Sequence, residues 1–155
     1  MALSILDDVD RRILRYLQSD PDMPLAELGD RTHVPLPTLK RRLKRLYDRE
    51  VILGVSEAID WAAAGFAVEV SLRVSLDKSQ PQAFDTFIAA AREVPEVIEI
   101  QTFLGRVDVR LSAIARDMTH YQRVYRERIL TLPHIADIEA LMHVTRIKSA
   151  EVLPI

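Results

Sequence analysis

Apolar residues at the start of the chain recur at steps of three and four. Leu6, Val9, Ile13, Leu14 and Leu17 share one side of a helix predicted from Leu6 to Gln18. Asp7 and Asp8 lie near its start, where negative charge suits the helix dipole. Ser19-Asp20-Pro21-Asp22 ends it, because proline disfavours helix in the residue before it. A second, short helix is predicted from Pro24 to Arg31 with Leu25 and Leu28 inward, then a tight Thr32-His33-Val34 connection. A third helix runs from Pro35 to Asp48, and Val51-Ile52-Leu53-Gly54-Val55 has the look of a strand. Three helices and then a strand outline a winged helix-turn-helix.

The period changes to two further on. Phe66, Val68, Val70, Leu72, Val74 and Leu76 alternate with Glu69, Ser71, Arg73 and Ser75, which predicts a strand with one buried face. A helix is expected over Gln80–Val94 with Phe84, Phe87, Ile88 and Ala91 inward, stopped by Pro95-Glu96. Two strands, Val97–Leu104 and Arg106–Ile114, flank Gly105. Another helix covers Asp117–Leu132 with Met118, Tyr121, Val124 and Tyr125 inward, and a last strand covers Ile135–Ile147. The order is strand-helix-strand-strand-helix-strand, the ferredoxin-like split βαβ arrangement. The chain therefore reads as an α+β protein. Residues 1–56 form a helix-turn-helix domain, 57–66 a linker and 67–155 a βαββαβ domain. Trp61 beside Ala62–Ala64 reads as a linker anchor that packs on a neighbour.

Composition adds mostly exclusions. No apolar run approaches the ~20 residues of a membrane span. The opening stretch MALSILDDVDRR carries acids where a signal peptide needs a basic and then an apolar region, so a cytoplasmic protein is expected. The absence of cysteine removes disulfides, zinc fingers and thiolate catalysis. Net charge is −2 overall, with ten basic against nine acidic residues in 1–56 and eleven against fourteen in 57–155. The signal is local instead. Residues 36–46 hold Lys40, Arg41, Arg42, Lys44 and Arg45 with no acid.

On the third helix Leu39, Leu43 and Leu46 form the inward stripe. At ~100° per residue, Pro37, Arg41, Lys44 and Arg45 then point away from it, with Thr38, Lys40 and Arg42 on the flanks. A helix carrying five cations and no nearby acid repels itself, and phosphates would relieve that repulsion. Arginine can also grip guanine in the major groove. A charge run alone reads as a solvated face, but the preceding helix and turn put this one where a recognition helix belongs. Pro37, Thr38, Lys40, Arg41, Arg42, Lys44 and Arg45 are the candidate contacts to double-stranded DNA.

These residues resemble the Lrp/AsnC family of leucine-responsive and asparagine-operon regulators. Leu6-Asp7, Asp10, Ile13 and Leu17 resemble the family's opening LDxxDxxIL. Glu27-Leu28 and Val34 continue the likeness, and Arg42-Leu43, Arg45-Leu46 and Val51-Ile52-Leu53-Gly54 are similar to RVxRLExxGVIxG. Gly105-Arg106-Val107-Asp108 with Leu111 resembles GDYDxxL. Three departures from the pattern stand out. Pro35 stands where a Ser or Thr usually caps the recognition helix, Glu50 replaces a glycine before the wing, and Arg106-Val107 replace an acid and an aromatic.

The resemblance implies a sequence-specific transcription regulator, not an enzyme. Its C-terminal (RAM-type) domain is expected to pair into dimers, to assemble further into octamers, and to bind an amino acid or related metabolite at contacts between dimers. The corresponding segment here comprises Leu104, Gly105, Arg106 and Asp108. Glycine allows close approach, backbone N–H groups can take a carboxylate, and an aspartate can take an ammonium. Arg106, Asp108 and Arg110 share one strand face by alternation, which suits an Arg–Asp pair equally well. No cofactor is expected. His33, His120, His134 and His143 have no close ligand spacing, so no metal is expected either. Two alternatives remain. One is a DNA-packaging protein of low specificity. The other is a decarboxylase similar to the family's tetrapyrrole enzymes, although Glu99–Leu104 lacks their histidines and arginines.

Overall fold

The computed structural model describes residues 6–148 and 152–155. The chain divides into two units, one made of residues 1–57 and 148–155, the other of 58–147. The first holds α1 (Asp8–Ser19), α2 (Leu25–Thr32) and α3 (Leu36–Asp48). Asp7 opens α1 with a reciprocal cap: its carboxylate accepts the Asp10 N–H at 2.8 Å, and the Asp10 carboxylate accepts the Asp7 N–H at 3.3 Å. The core is small, with Ile13, Met23, Leu28, Val34 and Leu39 buried together and Val9, Tyr16, Leu17 and Leu43 packed against them. Leu25 lies outside it, 40% exposed at the first position of α2.

The expected wing strand is absent. Val51–Val55 has no regular structure, and Leu53 and Val55 are largely exposed. Val51 and Ile52 both donate their N–H to Leu46 O, which folds the chain back on the end of α3 instead of into a ladder. A strand needs a neighbour to satisfy its backbone.

The second unit runs β1 (Val68–Leu76), α4 (Ala83–Arg92), β2 (Val97–Thr102), β3 (Val109–Ala115), α5 (Met118–Val124), a π-helical turn (Tyr125–Ile129) and β4 (Ile135–Met142). The sheet order is β2-β3-β1-β4 with every pairing antiparallel. Leu72 pairs with Leu111 on one side and Ala140 on the other, in the middle of the buried face. Val70, Leu72, Val74, Val109, Leu111, Phe87 and Ile129 are the centre of its core.

Several boundaries and two side chains of this unit depart from the sequence pattern. The third strand begins at Val109 rather than Arg106, and the fourth ends at Met142 rather than Ile147. The last helix changes to π geometry at Tyr125, with Leu130 N–H donating to Tyr125 O at 2.8 Å. Val124 and Ile129 are both buried although five apart, which an α-helix would separate by ~140°. The wider π turn brings them to one side. Phe84 and Met118 are more than 40% exposed, because the sheet-facing positions of α4 are Ala83, Phe87 and Ala91, and α5 buries Val124 instead.

Register also decides which side of the sheet lies away from the core. Ile100 and Val109 belong to the core side, being paired with Leu111 and Val74. Ile98 sits at a bulge and is 40% exposed. The opposite face carries Glu69, Ser71, Arg73, Glu99, Gln101, Arg110, Ser112 and Glu139. Its charges pair across strands, Arg110 with Glu99 at 3.1 Å and Arg73 with Glu139 at 3.6 Å.

Candidate nucleic-acid interface and effector loop

The turn between α2 and α3 is built on backbone geometry. His33 adopts a left-handed conformation (φ 55°) and Val34 N–H reaches Gly29 O at 3.0 Å. A Cβ on Gly29 would meet that same region of backbone at 3.0 Å from Val34 O, so glycine lets the two helices approach. Thr32 closes the end of α2 through Oγ1, which donates to Leu28 O at 2.6 Å. Pro35 precedes α3 without a side-chain cap and Pro37 stands in the first turn. The helix therefore begins one residue later than predicted, with the Leu36 and Thr38 N–H groups free of any capping side chain.

The five cations of α3 do not form one free stripe. Asp10 is fully buried, and its two carboxylate oxygens accept Arg42 Nη1 at 2.8 Å and Arg45 Nη2 at 2.6 Å. Arg42 Nη1 also reaches Asp7 at 2.7 Å. Lys44 pairs with Asp48 one turn on, at 2.6 Å. Lys40 and Arg41 make no ion pair among the described residues. Self-repulsion of an acid-free helix, inferred from residues 36–46 alone, is thus corrected: α1 and Asp48 supply the acids. Arg41, Arg42 and Arg45 line a depression of about 140 Å³ on this side. Pro37 is exposed and Thr38 half-buried, beside Leu39 at the core.

The Asp7 carboxyl is held below the ordinary carboxylate range by the Arg42 hydrogen bond first and the Asp10 N–H second, and Arg42 is raised in turn by Asp7 and Asp10. A depressed folded pKa contributes stability above the unfolded value, about 3.9, and loses it as pH falls through the folded one. The helical unit is accordingly expected to melt earlier on acidification below about pH 4, with Asp7→Asn flattening that dependence in a pH series of thermal melts. Sequence reasoning assigned Asp7 to the helix dipole and missed its role here. The signal was the Asp-x-x-Asp spacing, which resembles a capping box.

In the second unit the loop between β2 and β3 is closed by Phe103 N–H to Asp108 O at 2.9 Å. Leu104 is fully exposed at its tip, and Gly105 has φ 156°, a backbone glycine adopts readily. The expected Arg106–Asp108–Arg110 grouping is not what the structure brings together. Asp108 is buried, with Oδ2 accepting Leu76 N–H at 2.8 Å and Oδ1 facing Lys78 Nζ at 2.7 Å. These two partners, the Leu76 N–H first, hold its carboxyl below the ordinary range. Arg110 pairs with Glu99 instead. Arg106 is exposed, and its carbonyl accepts Ser75 Oγ at 2.8 Å. Its side chain lines a depression of about 300 Å³ with Arg73, Ser75, Val107, Asp137 and Glu139. Cations and carboxylates thus face one shallow space, the complement of a zwitterion.

Asp108→Asn is expected to lower the stability of the sheet unit by about 1 kcal/mol, since Lys78 is largely solvated and only the Leu76 bond is sheltered. Urea unfolding followed by far-ultraviolet circular dichroism checks it. Among the described residues no group of three or more His, Asp or Glu could hold a metal ion. No described helix is long and apolar enough to cross a membrane.

Known proteins match both halves. A family model described as the Lrp/AsnC ligand binding domain matches residues 69–153, and one described as winged helix-turn-helix DNA-binding matches 6–52. The DNA-binding transcriptional activator DecR of Escherichia coli K12 is 24% identical over 151 residues, covering 97% of this chain and 99% of that protein. An HTH-type transcriptional regulator of Mycobacterium tuberculosis is 33% identical over 134 residues, 86% of each chain. A transcriptional regulator of Neisseria meningitidis, solved in complex with L-methionine, superposes with a TM-score of 0.86 at 26% identity, covering 96% of both chains.

Proposed function

This chain belongs to the Lrp/AsnC family of DNA-binding transcription regulators, and from that premise we propose how its two units divide the work. The helical unit lays α3 in the major groove, and the sheet unit answers to an amino acid or close metabolite and holds the protein in dimers. The observation that carries the DNA reading is the α2–turn–α3 geometry, with Lys40 and Arg41 on the helix it presents making no ion pair among the described residues. Arg41 reads a base edge, Lys40 and the Leu36 and Thr38 N–H groups take phosphates, and Pro37 and Thr38 shape the entry of the helix. Lys44 reaches the backbone by exchanging Asp48 for phosphate. Arg42 and Arg45 fix the angle of α3 against α1 through Asp7 and Asp10.

Dimers follow from the DNA: one helix contacts only a few base pairs, so an operator is read by two copies related by a two-fold axis. The uncovered sheet face, with its charges already paired across strands, is the surface we assign to that contact. Sedimentation of the full chain at micromolar concentration tests it; a monomer would sink the assignment.

For the effector, the Leu104–Asp108 loop is the receiving element. Asp108 spends both oxygens inside the protein and therefore shapes the loop, while Arg106 takes the ligand carboxylate and Asp137 its ammonium. Regulation requires that the ligand bind one assembly or DNA-bound state better than another, and a coupling of about 1–3 kcal/mol shifts operator affinity 5- to 150-fold. Calorimetry against the twenty amino acids is expected to identify a binder that Arg106→Ala weakens at least tenfold, while ligand-free operator affinity is unchanged. If no amino acid binds the wild type, the sensing half of the proposal fails. Equal protection of an operator fragment and random DNA would favour the packaging alternative.

A further inference from the structure

Beyond the sheet, residues 152–155 belong with the helical unit. There Leu153 N–H donates to Gln18 Oε1 at 2.6 Å, while Gln18 Nε2 faces Leu153 O at 3.5 Å. A glutamine amide offers one donor and one acceptor side by side, so it pairs with an extended peptide much as a neighbouring strand would. Arg15 Nε adds a bond to Ile155 O at 2.8 Å. Between these anchors Leu153 lines a largely apolar groove of about 500 Å³ together with Leu14, Leu17, Tyr47, Val51 and Ile52.

The seat is partly filled. Leu153 and Val152 remain 57% and 60% exposed, and upstream of them Val144 and Ile147 are almost fully exposed. The segment is therefore held by a few solvated hydrogen bonds and the partial contact of an exposed leucine, the signature of a low free energy of local opening. What it touches is equally lightly held. Residues 51–56 form one wall of the groove, lack regular structure and carry exposed Leu53 and Val55. Pro37, Thr38 and Arg41 sit in the first half of α3, whereas the groove is at the ends of α1 and α3, so the segment leaves the cation face clear.

We propose that residues 152–155 are a releasable strap, read by Gln18 and Arg15, whose docking orders residues 46–56 and keeps the helical unit in its DNA-binding form. Its occupant is this chain's own segment. The inference concerns folding order and is measurable without DNA, so it stands or falls separately from the assignment of α3.

The test uses the full chain. Leu153→Asp places a charge on the wall of the apolar groove and is expected to accelerate amide hydrogen exchange in the 46–56 peptides about tenfold, with the β1–β4 peptides unchanged. Gln18→Ala is expected to do the same to a smaller extent, and Val144→Asp, an exposed position in the connecting segment, to do nothing. Operator affinity of Leu153→Asp falls several-fold. The chain contains no cysteine, so a Pro21→Cys/Leu153→Cys variant treated with a short bismaleimide reports the docking partner cleanly. A cross-link that migrates as a denatured monomer supports the strap. Unchanged exchange over 46–56 in Leu153→Asp overturns it, as does a cross-link found only between two chains, which would give the groove to a neighbouring copy.

Discussion

Asp10→Ala is expected to lower the stability of the helical unit by about 3 kcal/mol. Its carboxylate is fully buried and accepts from both Arg42 and Arg45, and it also receives the Asp7 N–H at the start of α1. Removing it leaves Arg42 with Asp7 alone and Arg45 with water alone, and Arg42 Nε is already buried without a partner among the described residues. Water reaches Arg45 more than Arg42, which keeps the loss toward the lower end for a broken buried pair. Against a core of a few apolar side chains and no cross-link, that is a large share of what holds the unit together. Urea unfolding read by circular dichroism, on wild type and variant, gives the number directly. Asp10→Asn keeps the shape and one acceptor and should recover part of it. A loss below about 0.5 kcal/mol for Asp10→Ala would mean that the cluster is a surface ion pair of little consequence.

The second large effect is on DNA. Lys40→Ala/Arg41→Ala is expected to weaken operator binding about 100-fold at fixed salt, with the urea midpoint unchanged, because neither side chain has an ion pair to lose among the described residues. If both touch phosphate, the slope of log affinity against log salt falls by about two; if Arg41 reads a base instead, it falls by about one and specificity relaxes at one position. Arg42→Ala/Arg45→Ala behaves oppositely, losing stability first and affinity as a consequence. Filter binding across a salt series, with a melt on each variant, separates the two. Should the Lys40/Arg41 variant bind normally while the Arg42/Arg45 variant fails at full stability, the internal ion pairs would have to open on DNA and the assignment would reverse.

These two predictions mark where sequence reading reached its limit. Periodicity is local, so the chain itself determined the helices, the order of strands and helices in the second half, and the turn that sets α3 after α2. It also located the cation run and, through several short motifs together, the family. Which cations are free was decided by packing: Asp7 and Asp10 meet Arg42 and Arg45 across separations of 32 to 35 residues. No window along the chain contains both partners. Asp108 gives the same lesson, since its alternation with Arg106 and Arg110 is present in the sequence, but Lys78 and Leu76 N–H reach it from the end of β1. The expected wing failed for a related reason: β-prone residues at 51–55 encode an extended chain, but a strand exists only where another backbone accepts its hydrogen bonds. Residue types and spacings fixed the parts list and its order, while contacts between distant segments chose the partner of each charge, because electrostatic and hydrogen-bonding preferences are satisfied in space.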